Sequence, residues 1–129
     1  MYLVDTSVLI DFLKGVDTPK SRKFEEILTH QIPFVISAFT YQEVLQGAKD
    51  TKEYDKLNTY LSTQKIVYPT DESYEKAAKL FFTCRKTGIT IRSTIDTLIA
   101  TTAIEHNLIL LHSDRDFEYM AEVVGLKVE

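Results

Sequence analysis

Five carboxylates stand at positions where a site is easily built. Asp5 directly follows the short apolar run Tyr2-Leu3-Val4. Asp114 and Asp116 fall in the turn Ser113-Asp114-Arg115-Asp116, just past the apolar run Leu108–Leu111. Asp96 stands near the start of a predicted helix from Thr94 to about Asn107, and Glu43 in the middle of another. In an open parallel sheet, ligands bind outside the carboxyl ends of the strands. If the two apolar runs are parallel neighbours, Asp5 and Asp114 share one edge. Two unit charges about 4 Å apart repel by about 4 kcal/mol at an effective dielectric near 20. A cluster of four or five carboxylates therefore needs partial protonation or a bound cation. Oxygen ligands select hard divalent ions, Mg²⁺ or Mn²⁺, and the chemistry such ions support is phosphoryl transfer.

Each acid also has a simpler reading. Asp5 can cap the helix that follows it. Glu43 can be a solvated helix acid, and Asp96 a first-turn residue favoured by the helix dipole. Asp114 and Asp116 can be turn formers. Other groups offer less. His30, His106 and His112 show no metal-ligand spacing, and Cys84 is the only cysteine, so zinc is disfavoured. No glycine-rich phosphate loop is present.

The elements that must position these acids alternate between strand and helix. After the strand at 2–4, Thr6 or Ser7 can cap a helix over Ser7–Lys14 that Gly15 stops. Following a Pro19 turn, a second helix runs from Ser21 to about His30. Pro33–Ile36 is a strand, and Ser37 caps a helix reaching about Ala48 that carries Glu43. A polar helix over Lys52–Ser62 and a strand over Ile66–Tyr68 come next. The longest helix opens at Thr70 or Asp71 and runs to about Thr87. Tyr74, Ala77, Ala78, Phe81 and Cys84 are spaced as its buried face, and Gly88 as its C′ residue. After Asp96's helix, Leu108–Leu111 reads as a strand covered on both sides. A helix over Phe117–Val124 and a strand over Leu126–Val128 follow. This alternation predicts an α/β fold with a mainly parallel sheet and helices on both faces.

The 129 residues suit one domain, spanning 1–129. No apolar run nears the roughly 20 residues of a membrane span, and no signal-peptide pattern opens the chain. These readings, with the lone cysteine, point to the cytoplasm. The net charge of −4 argues weakly against nucleic acid. However, Lys14, Lys20, Arg22 and Lys23 form one basic group, and Lys76, Lys79, Arg85 and Lys86 stud the longest helix.

Three segments carry a resemblance. YLVDTSVLIDFLKG, ISAFTYQEVLQGA and IRSTIDTLIATTAIEHNLILLHSDRDF occur in the order and spacing of PIN-domain ribonucleases, and the chain resembles in particular the VapC-like toxins of bacterial toxin–antitoxin pairs. The resemblance spans essentially the whole chain. It implies a three-layer α/β/α sandwich around a parallel sheet of four or five strands. It makes Asp5, Glu43, Asp96 and Asp114 the catalytic acids and Asp116 the family's variable extra acid. It implies endonucleolytic RNA cleavage dependent on Mg²⁺ or Mn²⁺. Asp5, Asp96 and Asp114 would hold the ion, Glu43 would ligate it or orient the attacking water, and Asp116 would help a second ion. Cleavage would leave a 5′-phosphate and a 3′-hydroxyl. Thr6, Ser7 and Ser113 are candidates for hydrogen bonds to the carboxylates or the scissile phosphate. Arg92, Arg115 and the Lys14–Lys23 group are candidates for the RNA backbone. The implied partners are a second copy of the chain and a small VapB-like antitoxin, seated in a groove among the helices at 7–14, 21–30 and 52–62.

Two other readings compete. A Mg²⁺-dependent phosphotransfer domain would also use a strand-end aspartate. A dehalogenase-class phosphatase wants an acid two residues after it, where Ser7 stands, and a receiver-type domain wants an acidic pair and a strand-end lysine that are not evident. A non-catalytic binding domain would leave gaps in the acidic set, which has none.

Overall fold

The computed structural model describes all residues, 1–129. Five strands, β1 (Tyr2–Val4), β2 (Phe34–Ser37), β3 (Ile66–Val67), β4 (Ile109–Leu111) and β5 (Lys127–Val128), form one sheet in the order β3-β2-β1-β4-β5. Every pairing is parallel. The helices are α1 (Thr6–Leu13), α2 (Pro19–Thr29), α3 (Ala38–Gln46), α4 (Thr51–Leu61), α5 (Asp71–Lys86), α6 (Thr94–Glu105) and α7 (Arg115–Val123).

Strand periodicity builds the three layers. Leu3, Val35 and Leu110 pair across the sheet and point to one face, where they meet Cys84, Ile99, Ala103, Phe117 and Met120 of α5, α6 and α7. Val4, Ile36 and Leu111 point to the other, against Val8, Phe24, Ile27, Val44 and Leu61 of α1 to α4. The fold is thus the expected α/β/α sandwich. Because β1 lies between β2 and β4, the chain reverses its direction of travel across the sheet at β1. The crevice at such a switch point opens over the strands' carboxyl ends. Val4 and Leu111 are in register, so Asp5 and the turn after β4 emerge together.

Helix α6 is buried all round from Thr97 to Ala103. It tolerates three threonines there because Thr97, Thr101 and Thr102 return their hydroxyl protons to carbonyls of their own helix at 2.6–2.8 Å. Its far end is tied to α5, where Glu105 accepts from Ser73 at 2.6 Å and pairs with Lys76 at 3.2 Å.

Several boundaries differ from the sequence reading. Of the three residues read as able to cap α1, Asp5 does so, and Thr6 and Ser7 fall inside the helix. Helix α2 begins at Pro19, because Thr18 caps it and proline fits the first helical position. Ser21 is the third residue, closing a capping box with Thr18. Helix α7 begins at Arg115, capped by Asp114, so Asp116 belongs to its first turn. On α5 the buried set is Ser73, Ala77, Leu80 and Cys84, while Tyr74 and Ala78 face solvent. A buried serine shifted the stripe by one residue from where apolar spacing put it. Gly15 and Gly88 do take the left-handed conformation expected of helix stops, at φ +70° and +88°.

Candidate metal centre

Asp5 is set by the strand-to-helix transition. Its N–H donates to the Leu111 carbonyl at 2.9 Å, extending the β1–β4 ladder by one bond. Its carboxylate then caps α1 and accepts the Ser7 hydroxyl at 2.8 Å. The residue is 7% exposed, and burial pushes its carboxyl pKa up despite the Ser7 hydrogen bonds.

Asp96 stands in the first turn of α6, half-buried. Burial first, then the negative charges of Asp5, Asp114, Asp116 and Glu43, push its carboxyl up to about 7. Acids from the starts of α1 and α7 and from the middle of α3 therefore converge electrostatically on one side chain. Asp96, Asp114 and Asp116 each bring a carboxylate oxygen within 4.8 Å of the other two. That spacing and charge fit a hard divalent ion with oxygen ligands. Asp5 stands outside that group of three, although its charge reaches Asp96.

Asp114 and Asp116 are held by the start of α7. Asp114 accepts the Asp116 N–H at 3.0 Å. Its own N–H donates to Nδ1 of His112 at 3.1 Å. His112 is 2% exposed, its ring edge packs on Phe117, and burial lowers its pKa. Since Nδ1 accepts, the proton of the neutral ring sits on Nε2, which lies 3.1 Å from Glu118. The pair is close but poorly aligned for a hydrogen bond. Arg92, just before α6, spans both acids: Nη2 reaches Asp114 at 3.1 Å, and Nε and the backbone N–H each reach Asp116 at 3.2 Å.

Glu43 approaches from α3. It is exposed, yet Oε1 accepts the Thr6 hydroxyl at 2.8 Å. Thr6 lies 3.0 Å from the Thr40 hydroxyl, which lies 3.2 Å from that of Ser37. Each hydroxyl has one proton. With Thr6 committed to the carboxylate, the chain runs Ser37 to Thr40 to Thr6 to Glu43. Ser37, Thr40 and Thr6 are buried.

Of the remaining sequence candidates, Thr6 and Ser7 are occupied as donors to Glu43 and Asp5. Ser113 and Arg115 are exposed at the same turn, without side-chain partners. Within the basic group, Arg22 pairs with Asp17 at 3.0 Å, and Lys23 with Glu26 and Glu129 at 3.9 and 3.6 Å. Lys14 and Lys20 are unpaired. Sequence reasoning assigned Ser37 only to a cap and gave Thr40 and His112 no part in the site. A serine at a strand end with a threonine three residues on is the local signal for the first two. Their link to Thr6, more than thirty residues away, is visible only in three dimensions.

A groove of about 750 Å³ lies between α1, α3 and α4. Ile10, Leu13, Val44, Leu57 and Tyr60 give it an apolar lining, and at its rim Lys14, Lys49, Lys52 and Lys56 outnumber Asp50 and Glu53. Helix α3, rather than α2, forms its third wall.

The sequence pattern of the PIN domain family matches residues 2–123. The chain is 34% identical over 127 residues to "Ribonuclease VapC1" of Methanocaldococcus jannaschii, covering 98% of this chain and 85% of that protein. It is 30% identical over 124 residues to "Ribonuclease VapC51" of Mycobacterium tuberculosis, covering 96% and 88%. Among solved structures, VapBC2 from Rickettsia felis, bound to a promoter DNA fragment, aligns with a TM-score of 0.75 at 22% identity, over 99% of this chain and 96% of that one. VapBC-1 from nontypeable Haemophilus influenzae aligns at 0.74 and 20%, over 99% and 96%. At those identities the structures speak for the fold, and the sequence matches speak for kinship. The parallel sandwich, the acids at its carboxyl edge and these matches together show that the chain belongs to the PIN domain family and is VapC-like.

Proposed function

We propose that residues 1–129 act as one PIN-like unit, a Mg²⁺- or Mn²⁺-dependent endoribonuclease that serves as the toxin of a VapBC-like pair. The observation that carries this reading is the convergence of Asp5, Glu43, Asp114 and Asp116 on Asp96, whose carboxyl is raised to about 7 by burial and then by those charges. Relatives named ribonucleases and VapBC structural neighbours support the substrate and the class of partner. A cytoplasmic setting, where RNA is available, suits the reading.

Asp5, Asp96 and Asp114 would hold the ion, with Asp116 beside them. When bound, such an ion polarises a phosphoryl oxygen and makes a neighbouring water more acidic. The chain's own groups do the rest. Ser7 fixes the Asp5 rotamer. Thr6 occupies one Glu43 oxygen and leaves Oε2 free to accept the proton of the attacking water. As the water oxygen bonds to phosphorus, the P–O3′ bond breaks, leaving a 5′-phosphate and, once protonated, a 3′-hydroxyl. Arg92 has Nη1 free on an exposed face, where it can meet an RNA phosphate.

The groove between α1, α3 and α4 suits the antitoxin. Its apolar floor and lysine rim fit a segment with apolar anchors and acidic flanks. A homodimer completes the proposed assembly.

The test is RNA cleavage by purified wild type beside Asp96→Asn, with Mn²⁺, with Mg²⁺ and with EDTA. Metal-dependent cutting by the wild type alone is the expected result. Equal cutting by both proteins would assign the activity to a contaminant.

A further inference from the structure

Of the cations in the chain, only Arg92 is paired with acids of the metal centre. Its side chain is 71% exposed, and exposed arginines seldom hold one geometry, because ordering them costs rotamer entropy. Arg92 is fixed from two sides. Ile91, immediately before it, is buried in the core that α5, α6 and α7 share. The Arg92 backbone N–H and Nε both donate to Oδ2 of Asp116, each at 3.2 Å. Asp116 is itself buried. One residue thus meets one buried carboxylate oxygen through both its main chain and its side chain.

The two oxygens of each acid are divided between the chain and the centre. Oδ2 of Asp116 is taken by Arg92. Oδ1 of Asp114 accepts Nη2 of Arg92 at 3.1 Å and the Asp116 N–H at 3.0 Å. Oδ1 of Asp116 and Oδ2 of Asp114 have no donor in the chain. Asp5 and Glu43 are divided in the same way, with Ser7 on Oδ2 of the first and Thr6 on Oε1 of the second. Asp96 accepts no hydrogen bond on its side chain and pairs with no cation. The open oxygens suffice for one octahedral ion that keeps part of its water.

A second ion meets a different situation. Two-ion centres hold their ions about 3.5–4 Å apart. At that distance a carboxylate between the ions bridges them, with one oxygen on each. Asp114 and Asp116 lie close enough to Asp96 to share an ion with it, but each has one oxygen committed to Arg92. A second ion would have to displace the guanidinium or stand against its charge. Asp116, which the family resemblance makes the helper of a second ion, is bound here to Arg92.

We infer that Arg92 takes the place of a second divalent ion, so that the centre holds one ion and the guanidinium supplies the positive charge of the other. This rests on the metal-dependent reading above and adds to it the ion count and the group that stands for the second ion. In a two-ion centre one ion steadies the attacking oxygen and the other the leaving oxygen. Arg92 has a donor for the leaving oxygen in Nη1, which has no partner in the chain. The water oxygen bonds to phosphorus, its proton passes to Glu43, and the P–O3′ bond breaks. Nη1 donates a hydrogen bond to the departing O3′ and keeps its own proton, because a guanidinium does not deprotonate in proteins. O3′ takes its proton from solvent.

The test counts Mn²⁺ on the purified chain by electron paramagnetic resonance at pH 8, with the ion titrated to saturation. The wild type should bind one ion per chain and give the spectrum of an isolated ion. Arg92→Ala should bind two, with the exchange-coupled spectrum of ions about 3.5–4 Å apart. Arg92→Lys, which keeps a positive charge there, should stay at one. Arg92→Gln repeats the count should Arg92→Ala fail to fold by circular dichroism. RNA cleavage gives a second readout. At limiting Mn²⁺ the wild-type rate should rise with the first power of ion concentration. That of Arg92→Ala should start about a hundredfold lower, a common loss for one donor at a developing charge, and rise with the second power. Two coupled ions in the wild type, or a single ion in both Arg92→Ala and Arg92→Gln, would overturn the inference. One ion in the wild type and two in Arg92→Ala, with no RNA cut by either, would leave the ion count standing and overturn the nuclease reading. No ion bound by either protein would overturn both.

Discussion

Oε1 of Glu43 accepts the hydroxyl proton of Thr6 at 2.8 Å, joining the first turn of α1 to the middle of α3. Thr6 is therefore a positioning residue for the most exposed of the five acids. Thr6→Val keeps the shape and removes the bond, leaving the buried Thr40 hydroxyl without its acceptor. An unsatisfied buried polar group costs about 1–3 kcal/mol, so a modest loss of stability is expected by urea denaturation. RNA cleavage should fall roughly tenfold in kcat, about the value of one hydrogen bond, with KM little changed. Thr6→Ser should restore most of the rate.

The raised Asp96 carboxyl makes pH a handle on the metal-free protein. Its folded pKa of about 7 lies above the ordinary 3.8. The folded state thus binds more protons than the unfolded state between those values. Its contribution to stability is fully present below pH 3.8 and is lost progressively as pH rises to about 7. Thermal melts in EDTA should show this decline from Asp96, and Asp96→Asn should flatten it. Mn²⁺ competes with the same proton, so its apparent affinity should fall by up to about tenfold per pH unit below 7. Titration calorimetry at pH 6 and 8 checks this.

Arg92 brings positive charge to Asp114 and Asp116. Arg92→Gln leaves both acids without that partner. The expected outcome is a lower melting temperature in EDTA that Mn²⁺ largely restores. If melting temperatures in EDTA match the wild type, the exposed guanidinium contributes nothing to holding the acids.

His112 fixes the turn that carries Asp114, through Nδ1 and the Asp114 N–H. His112→Phe fills the same space without the acceptor, whereas His112→Asn can still present one. Mn²⁺ affinity should drop several-fold in the phenylalanine variant and recover in part in the asparagine variant. Loss of a buried hydrogen-bond acceptor costs about 1–3 kcal/mol, so chemical denaturation should rank the two in the same order.

How much of this was legible beforehand depends on the range over which each feature is encoded. The alternation of strand and helix is local, and so were the layered fold and the placement of Asp5 and Asp114 at strand ends. Asp96 was legible as a first-turn acid because a helix start is a local event. The boundary shifts at Pro19 and Arg115 are also local. They arose because Thr18 and Asp114 are good caps standing three residues before the helix starts read from the sequence, Ser21 and Phe117. What spacing could not show is the closing of bonds across the sheet edge. The Ser37–Thr40–Thr6–Glu43 chain and the Arg92 bridge join residues brought together only by the β2-β1-β4 strand order. Tyr74 and Ala78 on α5 show the same limit. Ser73 is buried because Glu105 supplies its hydrogen bond from another helix, and that rotates the solvent-facing stripe.

The strand order also has a consequence during synthesis. Tyr2 of the central strand pairs with Ile109, near the other end of the chain, so this pairing must wait until most of the protein has left the ribosome. No pairing in the sheet is a hairpin, and long-range parallel pairings close slowly. Asp114 lies three residues past the last strand to join β1, so the acidic cluster can assemble only late in synthesis. A nascent chain can therefore grow almost to full length before its five acids stand together.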